Sequence, residues 1–408
     1  MTGRSDSESY LGVLKMTTYL SDAFRQLKPL CDDVAQQPSI KNIQNLKDLV
    51  QRLPSSTLQH LQEYTLFPMQ LQLNNAKLGS EIKVELINGI RHVVEKTEIL
   101  HLEQLFKLYV FVFLQIFDPS QPSMVASVSE ELKLSVVQCA TQVLRSTTAN
   151  VLDQMYQKEN VPKLGQGIYI CMQLLETERL RALRLACVDN ILVTCQVEDD
   201  TDFNDIVFRK QVGDLITLVV PGIIGGLFKV ATGDYKVGHL LIQMCLRAWG
   251  RVVALVFDDR IVGHHSQDHK TNWSLDEELL DTPDQGSGTA KLQPNSKEGM
   301  EILLNSQEHR SPKWLKASAR KLLAQTQVIV RVQHSDHWRV RLELVQMCDH
   351  VLTHCSRLEM GISERVYWGR GQVEVIVGGG KGEFWVKEYP ASAGFSVFFP
   401  PLLLLPLK

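Results

Sequence analysis

Cys348, His350, His354 and Cys355 are residue types that bind zinc, which asks for donors converging as a tetrahedron. On a helix, Cys348 and Cys355 lie two turns apart on the apolar stripe while His350 leaves from another side, so the spacing reads as structural. His264, His265 and His269 with Asp268 are a second donor cluster, in a stretch whose composition fixes no geometry, and read as solvated side chains. Glu198, Asp199, Asp200, Asp202 and Asp205 form an acidic loop without the glycine turn and terminal glutamate of an EF-hand. Gly378, Gly379, Gly380, Lys381 and Gly382 lack the spacing and the Lys-Ser/Thr ending of a nucleotide loop. The sequence has no Gly-x-Ser-x-Gly elbow, His-Glu-x-x-His motif or Cys-x-x-Cys pair. The expectation is a protein that is not an enzyme, with no catalytic, cofactor-binding or metal-binding residues.

Charge narrows the partners. With 43 Lys+Arg against 46 Asp+Glu the formal charge is -3, which supplies no global attraction for nucleic acid or an acidic membrane. Arg310, Lys313, Lys316, Arg320 and Lys321 make a basic helical segment, but Trp314 is its one interleaved aromatic, so it reads as a wet face. Eight cysteines scattered among apolar neighbours suit reduced thiols of the cytoplasm or nucleus. Met1 to Ser9 is polar and acidic, unlike a secretory leader. Leu105 to Phe117, the most apolar helical run, is short and carries Lys107 and Gln115, so membrane insertion is not expected.

The elements beneath these residues are helices that recur about every forty-five residues. Ile82, Leu86, Ile90 and Val93 form one buried stripe; Leu132, Val136, Cys139 and Val143 form another, with Ser127 and Glu130 at the spacing of a capping box. Leu180, Leu183, Cys187 and Ile191 repeat the pattern after a partner segment at Leu164 to Leu175. Pro221, inside the apolar run Leu215 to Val230, should kink or divide its helix. Stacked pairs of this kind, none able to bury its stripe alone, predict an all-α, HEAT-like helical-repeat solenoid. The expected organisation is a flexible tail over 1–21, solenoid over 22–257, a mobile loop over 258–310, further repeat helices over 311–358 and an irregular tail over 359–408, read as splice-derived or mispredicted. In the last helix Asp336 should cap, Val340, Leu344 and Met347 should pack, Trp338 should be core, and Arg341 should reach a neighbouring repeat.

Five stretches carry a resemblance. Phe24-Arg25-Gln26-Leu27-Lys28-Pro29-Leu30-Cys31, then Leu58 to Pro68, Val128 to Leu134 with Glu130 and Leu132, Thr232 to His239 with Gly233 and Asp234, and His337 to Val345 resemble, in order, the amino-terminal region of the TELO-two-interacting protein one family. The match runs from about Phe24 to Arg357. The resemblance implies a HEAT-repeat scaffold of the Triple T cochaperone complex. Its partners would be TELO-two and TELO-two-interacting-protein-two type subunits and the HSP90/R2TP machinery, acting on phosphatidylinositol-3-kinase-related kinases of the mTOR, ATM and ATR types. Pro68, Glu130, Leu132, Gly233, Asp234, Asp336, Trp338, Val340 and Arg341 are the motif positions it marks, as structural residues. Two other readings stand beside it: a HEAT-repeat transport or trafficking adaptor, and, because family members are much longer, a truncated non-functional or dominant-negative fragment.

Overall fold

A computed structural model of the chain describes residues 5–117, 125–199, 205–233, 237–262 and 312–355, and three strands beyond them. Its helices are α1 (Ser5–Gln36), α2 (Ile40–Arg52), α3 (Ser55–His60), α4 (Gln62–Leu73), α5 (Ser80–Glu95), α6 (Leu102–Phe113), α7 (Glu130–Arg145), α8 (Ala149–Met155), α9 (Val161–Thr177), α10 (Arg181–Thr194), α11 (Ile206–Ile216), α12 (Val220–Ala231), α13 (His239–Val256), α14 (Asp259–Val262), α15 (Pro312–Ile329) and α16 (Trp338–His354). Consecutive helices pair as hairpins: α1 with α2, α4 with α5, α6 with α7, α9 with α10 and α12 with α13, while α15 meets α16 through the 3-10 turn Val330–His334. The second members, α2, α5, α7, α10, α13 and α16, stack in that order as one layer. This is an all-α helical-repeat solenoid.

The recurrence read in the sequence is hydrogen-bonded into the stack. Lys96 donates to the Val50 carbonyl 46 residues back, Arg91 bonds Gln138 47 residues on, and Lys133 bonds Glu178 45 residues on. Thr141 and Asn190, and Arg209 and Asp258, are each joined across 49 residues. The stripes fill one continuous core: Leu86, Ile90, Val136, Cys139, Val143, Leu183, Cys187 and Ile191 are fully buried. The helical stretch His239–Ile261 is the one candidate among the described residues long and apolar enough by itself to cross a membrane, and its most apolar part is 67% buried by the solenoid.

Several boundaries differ from the expectation. Helix α1 begins at Ser5 rather than after residue 21, because Val13, Met16 and Leu20 continue the three-four spacing of Ala23, Leu27, Cys31 and Val34. Ser129, not Ser127, caps α7, accepting from the Leu132 amide at 3.3 Å. Pro221 divides its apolar run: α11 and α12 meet at 82° with the proline in the first turn of α12, where its missing N–H costs nothing. Asp258, expected to open the loop, is 1% exposed and belongs to the core. Its carboxylate accepts from Arg209 Nε at 2.9 Å and Arg260 Nη2 at 2.8 Å, bonds that outweigh burial and hold the carboxyl below its ordinary range. The rest of that expected loop, 263–311, lies outside the described residues.

Within the expected irregular tail stand β1 (Val366–Trp368), β2 (Val373–Val377) and β3 (Phe384–Glu388), an antiparallel meander in that order with Val375 opposite Val366 and Val386. Val373, Val375 and Val377 alternate with Glu374 and Ile376, and the glycines lie between the strands, the pattern of hairpins rather than helices.

Candidate interaction surface

From α5 to α16 the stacked layer is tied along one edge by a repeated contact between the first residue of one helix and the residue just before the next. Ser80 opens α5 and its hydroxyl lies 2.9 Å from that of Ser129, the cap of α7. Glu130 opens α7 and accepts from the Arg179 and Leu180 amides, at 2.9 and 2.8 Å, ahead of α10. Arg181 opens α10 and lays its guanidinium on Gly238, the residue before α13. Gly238 has φ +95°, and an added Cβ would stand 2.7 Å from the guanidinium carbon, so conformation and space both require glycine. His239 opens α13 and stacks on His337, the residue before α16, with ring centroids 3.7 Å apart and planes 5° apart.

Below this edge, α13 and α16 close imperfectly. Arg247 makes a two-pronged bond to Glu343, at 2.9 and 2.7 Å, and Gly250 lets Met347 approach. Between them a cleft of about 300 Å³ is lined by Arg247, Arg251, Glu343, Gln346, Asp349 and His350. Its walls carry both charge signs.

Residues 24–360 match the family profile described as the TTI1 N-terminal TPR domain. The chain belongs to that family. It is 27% identical over 341 residues to the TELO2-interacting protein 1 homolog of Homo sapiens and 26% identical to that of Mus musculus, covering 82% of this chain in each case. It spans 29% of the length of each of those relatives. Among solved structures, a computationally designed self-assembling cyclic homo-oligomer aligns over 86% of the chain and 99% of its own at 8% identity and a TM-score of 0.18, too low to bear on the fold. The family description names TPR units, whose period is about 34 residues. The bonded spacing between neighbouring layer helices here runs from 38 residues, between Lys47 and Glu85, to 52, between Ser146 and Val94, above that period.

Within the family segment the motif positions separate into core and edge. Pro68, Leu132, Val340 and Leu344 are buried. Gly233 follows α12 where a Cβ would meet the Lys229 carbonyl oxygen at 2.8 Å; Asp234 lies outside the described residues. Glu130 is the inter-repeat bond described above, which holds its carboxyl below the ordinary range chiefly through the Leu180 amide. Asp336 does not cap. The helix starts at Trp338, so the capping position falls to His337, and Asp336 is one residue too early and exposed. Trp338 is 49% exposed rather than core, with Arg339 5.3 Å over its ring. Arg341 turns back to the Ser335 carbonyl of its own turn instead of reaching a neighbouring repeat. No sequence pattern marks the edge contact, although its last rung joins His239 and His337, the ends of two of the family-like stretches.

All eight cysteines are buried thiols; burial pushes Cys31, Cys139, Cys195, Cys245 and Cys348 up to about 12, and Cys355 well above its usual value. Among the described residues no three His, Cys, Asp or Glu side chains converge as a metal site would. Of the acidic loop, Glu198 pairs with Arg145 and Asp205 caps α11, while 200–204 lie outside the described residues, as do His264, His265, Asp268 and His269. Arg320 and Lys321 are exposed, and Trp314 stacks on Phe257 with centroids 5.6 Å apart.

Proposed function

We propose that this chain is a non-catalytic scaffold segment of the Triple T cochaperone complex, binding a TELO2-type subunit and supporting the maturation of phosphatidylinositol-3-kinase-related kinases with the HSP90/R2TP system. It acts in the cytoplasm and also in the nucleus, together with a TELO-two-interacting-protein-two type subunit. Membership of the TTI1 family carries this reading, and the name of its relatives, TELO2-interacting protein 1, supports the first partner. A stiff stack of hairpins suits the role, since partners bound along one solenoid meet at an effective concentration far above their free one.

Affinity purification from native extract tests it, comparing this chain, a chain ending at Arg357 and a full-length relative. Recovery of a TELO2-type subunit by all three is the expected result. If only the full-length relative recovers it, binding lies outside this segment and the proposal fails for this chain.

A further inference from the structure

Each helix of a solenoid buries a flank on the next repeat, so the helices at its two ends need outer flanks that tolerate water. The two ends of this stack differ in that respect. At the amino-terminal end, α2 turns Lys47 toward α5, where it bonds Glu85 at 3.2 Å. Asn45 and Arg52 stand about 160° and 140° from Lys47 round the helix, on the side away from α5. Arg52 is exposed and bonds the Asp48 carbonyl of its own helix. That flank is polar and asks for no cover.

The other end is finished with apolar residues. Glu343 bonds Arg247, and Met347 meets Gly250, so that side of α16 faces α13. Val345 and Leu352, seven residues apart on one stripe, stand about 160° and 180° from Glu343. Both are half-buried, as is Val332 in the 3-10 turn ahead of α16. Helix α13, flanked on both sides, buries eleven of its 18 residues, whereas α16 buries six of 17, so one flank of α16 is left to another element. Strand β1 lies against α16 and against the turn Val330–His334, and β2 and β3 extend the sheet from it.

We propose that the β-meander Val366–Glu388 is an internal cap, seated on the outer flank of α16 where a further helical repeat would stack, so that Val332, Val345 and Leu352 are closed to other proteins. Contact and continuity select this occupant. Strand β1 touches the last two elements of the stack, and the flank continues the interface along which α5, α7, α10 and α13 each receive the next helix. A three-stranded sheet is marginal by itself and gains from packing on a helix, so cap and flank stabilise each other.

The test is hydrogen–deuterium exchange read by mass spectrometry on the full 408-residue chain. Val375 sits in the central strand, opposite Val366 and Val386, and Val375→Pro removes a backbone donor there and opens the sheet. Exchange over 330–354 should then rise about tenfold while α2 and α5 keep their protection, as in a local opening. Fluorescence of added anilinonaphthalenesulfonate should rise severalfold as the apolar flank is bared. The reciprocal variant, Val345→Asp with Leu352→Asp, leaves the strands intact but charges their seat, and should speed exchange over 373–377 severalfold. Asn45→Asp with Arg52→Glu, on the polar flank of α2, should leave 373–377 as in the wild type. Circular dichroism checks that the helices persist; where Val375→Pro unsettles them, the reciprocal variant decides. Three results would overturn the proposal: strand amides exchanging at the free-peptide rate in the wild type, exchange over 330–354 or dye fluorescence unchanged once the sheet is open, or 373–377 unchanged when the flank is charged. No partner protein enters these readouts, so their outcome is separate from the scaffold reading.

Discussion

The α7–α10 seam and the α13–α16 seam join equivalent helices and are finished differently. In the first, Glu130 closes the backbone ahead of α10, Lys133 bonds Glu178 at 2.7 Å, Asn190 links Thr141 and Cys171 in the core, and Arg145 reaches Asp189 and Glu198. In the second, stacked imidazoles and Arg247–Glu343 leave a cleft of about 300 Å³, and His337 Nδ1 and Arg341 Nε are buried without partners. Buried polar groups are normally paired, because an unmade bond carries its full desolvation cost. A seam with all its polar groups matched acts as a lock, whereas one with spare groups and space has room for something else.

Substitutions can separate the two. The largest effect is expected from Gly250→Val, whose Cβ would stand 2.6 Å from Met347 Cγ and force α13 from α16; a loss of about 3 kcal/mol should appear in urea unfolding. A change below about 0.5 kcal/mol would show that Met347 simply moves aside. Lys133→Met comes next, at about 2 kcal/mol, because it strands Glu178 where only 17% of that side chain reaches solvent. Replacing both residues, Lys133→Met with Glu178→Leu, should recover most of that loss. Arg247→Ala should cost about 2 kcal/mol as well: Arg247 itself is 48% exposed, but its removal strands Glu343, of whose side chain only 6% reaches solvent. Glu130→Gln is the smallest and depends on pH. The folded carboxyl titrates below its ordinary value, so its contribution is present above the unfolded pKa and disappears as pH falls through the lower folded one. The difference in Tm between wild type and Glu130→Gln should therefore be seen at neutral pH and vanish in acid; a constant difference would refute the linkage.

What was legible in the sequence is what repeats locally. Ile82, Leu86, Ile90 and Val93 announce a helix face, and all but half-buried Ile82 are buried; Pro221 announces the break found between α11 and α12. Contacts between repeats have no such signature. Ser127 and Glu130 have the spacing of a reciprocal cap, yet the carboxylate serves the next repeat, 50 residues away. His239 and His337 share a ring stack across a stretch that includes residues 263–311, and no periodicity predicts it. Aromatic residues are usually core material, but Trp338 opens α16 at the edge of the stack, where half its surface meets solvent.

The cysteines lie along the stack from Cys31 in α1 to Cys355 just after α16, each enclosed by its own neighbours. A solenoid in which each repeat leans only on those beside it can open piecemeal, and a thiol becomes reactive only when its repeat does. Alkylation followed by mass spectrometry would thus time-stamp the opening of each repeat, and the order of labelling would tell whether this rod frays from its ends or parts in the middle.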